Sequence, residues 1–257
     1  MTYYFCYNNI NISKDVLKII YRKEAYIMSI IEIYCKVYVL EDLTKRNVAI
    51  ELNKLIDTAL MQTEEMKPLH IDRKYKFYSV SGLMPIEIDG IYKKGNIYTF
   101  VLRTVDKKLA QYFKTTLAQQ YTKILKALTV ETKEISRRPL EKIYTLTPVI
   151  LKFETGYWRG NYSEEIFEKR IRENMIKKYN TFNNVKLDED FELFNYIKFD
   201  NQKPVAFHYK GITLLGDKVT LGIATNDIAQ QLAYLAIGTG IGEMNARGAG
   251  FINFKYL

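Results

Sequence analysis

The sequence contains two histidines, His70 and His208, so the search for a group that moves protons near neutral pH is short. His70 stands in Leu69-His70-Ile71-Asp72-Arg73-Lys74-Tyr75-Lys76, where an imidazole is followed by three cations. An ammonium such as Lys76 or Lys74, or the Arg73 guanidinium, can stabilise negative charge that develops beside a proton-transferring group. His208 lies in Phe207-His208-Tyr209-Lys210 and reads as a strand residue hydrogen-bonded to a neighbour.

The other informative segment runs from Gly238 to Phe251 and holds five of the chain's 13 glycines: Gly238, Gly240, Gly242, Gly248 and Gly250. Glycine permits positive φ and close approach of the main chain, so clustered amides could cradle a phosphate while Arg247 supplies charge. The same glycines would also serve a tight helix-to-strand connection for geometry alone, and local pattern does not separate the two readings. No Gly-Lys-Ser/Thr ends the segment, and it does not open a helix after a strand, which excludes nucleotide and dinucleotide phosphate loops.

Metal and cofactor chemistry find little support. Cys6 and Cys35 have no C-x-x-C spacing, and Asp188-Glu189-Asp190 reads as a solvated loop because three adjacent side chains diverge. We therefore expect no metal and no cofactor.

Two repeats of one element order must position these groups. Ile31, Ile33, Cys35, Val37 and Val39 alternate as in a half-buried strand; Thr44 can cap a helix bearing Val48, Leu52, Leu55 and Ala59. Strands over Lys76–Val80 and Ile97–Leu102, a helix capped by Asp106, and a strand over Leu128–Ile135 complete a βαββαβ order. The second half repeats it: a strand over Ile143–Phe153, a helix capped by Ser163, strands over Phe191–Phe199, Val205–Tyr209 and Val219–Ala224, a helix capped by Asn226 or Asp227, and a strand over Phe251–Tyr256. The fold class is α+β, two tandem ferredoxin-like (RRM-like, βαββαβ) domains spanning 28–137 and 138–257, with 1–27 as an N-terminal extension of unclear status.

With 38 Lys+Arg against 29 Asp+Glu in 257 residues, the net charge is +9. Residues up to Arg137 carry +7 of it, which points toward a polyanionic partner. Arg137 and Arg138 form the expected linker, and Lys169, Arg170 and Arg172 share a helix. No window is long and apolar enough for a membrane span, and two cysteines suit a reducing cytoplasm.

In Gly240-Ile241-Gly242-Glu243 and Gly248-Ala249-Gly250 the chain resembles the CRISPR-associated endoribonucleases that process repeat RNA, the sixth Cas family of the RAMP superfamily. The resemblance runs from about residue 28 to the end and includes Leu146-Thr147-Pro148. Ala249 stands where family members carry an aromatic residue, and Met244 where a basic one is common.

The resemblance implies a metal-independent cleavage in which a ribose 2′-hydroxyl attacks the adjacent phosphate, leaving a 2′,3′-cyclic phosphate and a 5′-hydroxyl. It assigns proton transfer to His70 and charge stabilisation to Lys76, with Tyr75 or Tyr78 able to orient the hydroxyl or phosphate. Where the family often has a tyrosine on the first helix, this chain has Asp57. RNA contacts are expected from Arg73, Lys74, Arg137, Arg138, Gly240, Gly242, Arg247, Gly248 and Gly250. The implied partners are CRISPR repeat RNA, precursor and processed guide, together with other CRISPR effector subunits or a second copy of the chain. A RAMP subunit that holds guide RNA without cutting it is the alternative.

Overall fold

Alternating burial along one strand per unit organises the protein. The computed structural model describes residues 28–71 and 75–257, with the side chains of His70 and Ile71 outside that description. In the first unit β1 (Ile30–Val39) turns Ile33, Cys35, Val37 and Val39 inward, where they are fully buried. There follow β2 (Leu43–Thr44), α1 (Val48–Leu60), α2 (Lys67–Ile71), β3 (Tyr78–Val80), β4 (Ile91–Tyr92), β5 (Ile97–Thr104), α3 (Lys107–Thr116) and β6 (Leu125–Ile135). The sheet is antiparallel in the order β3-β5-β1-β6, with Leu52, Leu55 and Ile56 of α1 and Phe113 of α3 in the core beneath it.

Asp106 caps α3 as expected, accepting from the Lys108 and Leu109 amides at 2.8 and 3.1 Å. Thr44 does not cap α1. A 3-10 turn over Lys45–Asn47 intervenes, and the Thr44 hydroxyl makes no capping bond.

The second unit comprises β7 (Leu140–Thr145), α4 (Glu164–Asn183), β8 (Phe194–Phe199), β9 (Val205–Tyr209), β10 (Ile212–Gly216), β11 (Val219–Ile223), α5 (Asp227–Thr239) and β12 (Ile252–Tyr256). Its antiparallel sheet has the order β12-β7-β11-β8, so both units share the ferredoxin-like arrangement. Asn226 caps α5 through the Ala229 amide at 2.9 Å; Ser163 sits at the N-cap of α4 without a side-chain capping bond.

Two expectations change here. The strand expected over Ile143–Phe153 ends at Thr145; beyond it come single bridges, Val149 with Asp217, Ile150 with Glu243 and Phe153 with Gly156, after a proline, Pro148, that has no amide to donate. The strand over Val205–Tyr209 is real but lies outside the main sheet. It pairs with β10 across Lys210-Gly211, both at positive φ, as a two-stranded hairpin. Phe207 and Tyr209 of that hairpin pack with Ile150 and Ala249 against Ala49 and Ile50 of α1, so the insertion reaches the other unit.

The units are tied at several further points. The buried Arg103 guanidinium pairs with Glu32 at 2.6 Å, donates to the Ile252 carbonyl at 2.6 Å and lies 4.7 Å over the Phe251 ring. Helix α5 rests on β1, β3 and β5, and the Ser79 hydroxyl donates to the Gly238 carbonyl at 3.2 Å. The glycine-rich segment that follows α5 is thereby delivered to the first unit. Arg137 and Arg138 fall between β6 and β7, their guanidinium groups 5.3 and 5.6 Å from the Tyr234 and Tyr256 rings. Among the described residues no helix is long and apolar enough to cross a membrane.

Candidate active site

Backbone geometry explains the glycines. Gly240, Gly242, Gly248 and Gly250 have φ of 72°, 70°, 100° and 59°, a region that strains any residue with a Cβ. At Gly250 a Cβ would overlap the Ile241 carbonyl oxygen, and at Gly240 it would meet the Gly250 oxygen at 2.8 Å. The amides are also engaged: Gly240 donates to Ala236 at 2.7 Å, Gly248 to Asn245 at 3.1 Å, and Gly250 to Pro148 at 2.8 Å. Those three amides are therefore bound within the protein and do not cradle an anion in this conformation. The helix-to-strand reading of the segment is the one the geometry favours at Gly240, Gly248 and Gly250.

Arg247 likewise has an internal role. Its guanidinium donates to Asn53 Oδ1 at 3.2 Å and Asp57 Oδ2 at 3.3 Å, while Asn53 Nδ2 returns a bond to the Arg247 carbonyl at 3.1 Å. The group also lies 5.5 Å from the Tyr209 ring. Arg247 thus clasps the loop to α1, its charge matched by Asp57.

Beneath the loop stands a residue that sequence reasoning missed. The buried Lys178 ammonium donates to the Gly240 carbonyl at 2.9 Å, the Gly242 carbonyl at 3.0 Å and Asn245 Oδ1 at 2.6 Å. The signal was present: Lys178 follows Ile171 and Met175 at helical spacing on the buried stripe of α4, where a lysine must be paired or neutral. Burial pushes its pKa down to about 7, with the Glu243 carboxylate acting in the opposite sense.

That depression has a consequence for stability. Between about pH 7 and the ordinary lysine range the unfolded chain binds more protons than the folded one at this position, so stability rises with pH there and the group adds no slope below. Urea denaturation between pH 7 and pH 9 should show an upward trend in the wild-type chain that is flatter in Lys178→Met. Parallel pH dependence in the two proteins would disprove it.

A cavity of about 240 Å³ opens beside the loop, lined by Tyr75, Lys76, Lys178, Glu243, Met244 and Arg247 among others. The structure therefore brings Tyr75 and Lys76 of the first unit to the glycine-rich segment of the second. Tyr75 is exposed, and burial of its phenol followed by the nearby Glu243 charge raise its pKa. Tyr78 is buried, which leaves Tyr75 as the accessible phenol of the two. Between them Phe77 adopts φ of 49°, uncommon for a bulky residue, with its ring 5.3 Å from Phe182 of α4 and its carbonyl accepting from Thr104 Oγ1 at 3.0 Å. Packing against the second unit holds this turn, and the turn aims Tyr75 and Lys76.

His70 lies by its backbone in α2, six residues before Lys76; its side chain, and Arg73 and Lys74 entirely, fall outside the described residues. His208 Nδ1 is 2.9 Å from Thr213 Oγ1 across the β9–β10 hairpin, in keeping with its strand reading.

Two ferredoxin-like sheets stand in tandem, with a glycine-rich segment at their junction. Residues 130–254 match the family described as CRISPR associated protein Cas6, C-terminal. That match supports a role in processing or binding CRISPR RNA. Among solved structures it is similar to a CRISPR associated protein Cas6, with TM-score 0.66 and 18% identity over 88% of this chain and 99% of that one. It is also similar to a RAMP protein binding different RNA substrates, with TM-score 0.67, 18% identity and the same coverage. A third is a Cas6-related protein from Pyrococcus furiosus, with TM-score 0.61 and 16% identity over 88% of this chain and 98% of that one. No curated protein matches the sequence.

Proposed function

We propose that this protein is an endoribonuclease that cuts precursor CRISPR RNA within its repeats. The supporting observation is the cavity at which Tyr75 and Lys76 meet the glycine-rich segment, because it joins the two parts of the chain that carry the family resemblance. In the reaction the ribose 2′-oxygen loses its proton and bonds to the adjacent phosphorus. The bond from phosphorus to the 5′-oxygen breaks, and that oxygen takes a proton. His70 serves one of these proton transfers, Lys76 stabilises charge on the phosphorane, and Tyr75 orients the 2′-hydroxyl or the phosphate.

The glycine-rich segment then acts as a rigid wall of the site, held from below by Lys178 and from the side by Arg247. RNA contacts fall to Lys76 at the cavity, to Arg73 and Lys74, which precede it in the sequence, and to Arg137 and Arg138 at the junction. The product guide RNA stays bound for transfer to effector subunits in the cytoplasm.

The test is incubation of the protein with its repeat RNA in buffer containing EDTA. Cleavage at one position, blocked by a 2′-deoxy nucleotide immediately upstream of the cut, is the expected result. Intact RNA retained on the protein would instead identify a guide-binding RAMP subunit, and cleavage that survives the 2′-deoxy substitution would reject the internal nucleophile.

A further inference from the structure

The inner side of the glycine-rich segment is filled by polar atoms. Besides the three bonds that Lys178 Nζ donates to the Gly240 and Gly242 carbonyls and to Asn245 Oδ1, Asn245 Nδ2 donates to the Ile241 and Ala249 carbonyls at 2.8 and 3.0 Å. One ammonium and one carboxamide thus satisfy the inward carbonyls of Gly240, Ile241, Gly242 and Ala249. Two of the glycines make room for this pair, since a Cβ at Gly240 or Gly250 would meet Asn245 Nδ2 at 2.6 or 2.8 Å. Lys178 and Asn245 are both buried, so a bond lost here leaves a polar atom unsatisfied.

This arrangement depends on one proton. An ammonium has three N–H donors and no acceptor, which matches the three oxygens around Lys178 Nζ. A neutral amine keeps two donors and gains a lone pair, so one of those contacts becomes a repulsion between electron pairs. Gly242 and Asn245 line the cavity, so an adjustment of their oxygens moves its wall. Among the described residues, the titratable groups that share the cavity with Lys178 are Glu243 and Arg247 of the segment and Tyr75, Lys76 and Tyr78 of the first unit; α5 contributes only the uncharged Thr239. Burial opposes the charged form of Lys178 and the Glu243 carboxylate favours it.

We propose that Lys178 is a proton-dependent positioning residue of the cleavage site: the cavity wall from Gly242 to Arg247 holds its working shape only while the Lys178 amine is charged. The inference rests on the nuclease reading above and deepens it, because Lys178 acts through the wall and not on the reacting atoms. Stability and cutting then move in opposite directions above neutral pH. Loss of the proton removes a buried charge and favours the fold over the unfolded chain, while the shifted wall slows the reaction.

The test is the single-turnover rate of repeat cleavage by the full chain between about pH 6 and pH 8.5, taken as the ratio of wild type to Lys178→Met, in which the titration of His70 cancels. At the acid end the ratio should be about 100, the scale of a reacting group misplaced by about 1 Å. It should fall about 30-fold toward the alkaline end, because a group titrating at about pH 7 is then charged in roughly one molecule in thirty. Affinity for uncleavable 2′-deoxy RNA should stay within about threefold throughout. A ratio that stays level across the range would leave Lys178 a structural role only and overturn the proposal. Should Lys178→Met misfold, Glu243→Gln replaces it: without that carboxylate Lys178 gives up its proton at lower pH, so the rate should decline earlier, and an unmoved midpoint would overturn the proposal equally. Hydrogen exchange separates this inference from the nuclease reading. A wild-type chain that binds repeat RNA without cutting it loses the nuclease reading, yet its Gly240 and Gly250 amides should still exchange faster as pH rises, beyond the base-catalysed increase of other amides, and Lys178→Met should lack that excess. Equal behaviour of those amides in the two proteins would overturn the proposal.

Discussion

His70→Ala is expected to lower the single-turnover rate of repeat cleavage by about 10²- to 10⁴-fold while RNA affinity stays within about twofold. The reasoning is chemical. Departure of the 5′-oxygen needs a proton, and an imidazole with an ordinary pKa near 6.5 is suited to supply or accept one near neutrality. Affinity for a polyanion that rests on several phosphate contacts changes little when one ring is removed. Lys76→Ala should show a comparable loss in rate, since charge stabilisation at the reacting centre is felt in the transition state and hardly in the ground state. The measurement is a single-turnover time course alongside filter retention of uncleaved 2′-deoxy RNA. A His70→Ala protein that cuts at the wild-type rate would move the proton transfer elsewhere, with His208 the next residue to replace.

The largest effect on stability should come from Asp217. Its carboxylate is fully buried and accepts from Tyr157 Oη at 2.8 and 2.9 Å, Trp158 Nε1 at 2.7 Å, Arg159 Nη2 at 2.9 Å and Asn201 Nδ2 at 2.8 Å. The Arg159 guanidinium in turn lies 4.8 Å from the Phe199 ring and 5.0 Å from Trp158, so one carboxylate gathers the connection between β7 and α4 onto the sheet. Asp217→Ala leaves buried donors without an acceptor and should cost about 3–5 kcal/mol, read from urea or thermal denaturation. Asp217→Asn should also destabilise, because it presents donors where donors already point. A loss below about 1 kcal/mol in the alanine variant would show that the network relaxes onto water. Nothing in the sequence analysis singles out Asp217, since its partners lie 16 to 60 positions away.

The architecture was legible because both of its signals are local. Strict alternation in β1 and helical spacing of Leu52, Leu55 and Ala59 depend on neighbours within a turn or two, and they carried the doubled βαββαβ order. Element ends were less legible where a proline or an intervening 3-10 turn cut the pattern short, as at Thr145 and Thr44. Of the hairpin only Val205–Tyr209 is legible as strand, and not as part of a separate sheet, because alternation says that a segment is extended and not which edge it joins.

For the site the division is sharper. Residue type draws attention to the two histidines and the glycine-rich segment, while the roles of His70 and Lys76 rest on the family resemblance. Which glycine amides are free, where the charge of Arg247 goes, and what holds the loop from beneath all depended on partners far along the chain: Pro148, Asp57 and Lys178. Composition and periodicity follow from the chain's own neighbours and so can be read in one dimension. Charge pairing and hydrogen-bond satisfaction are properties of groups brought together by packing, and only the folded arrangement says which groups those are.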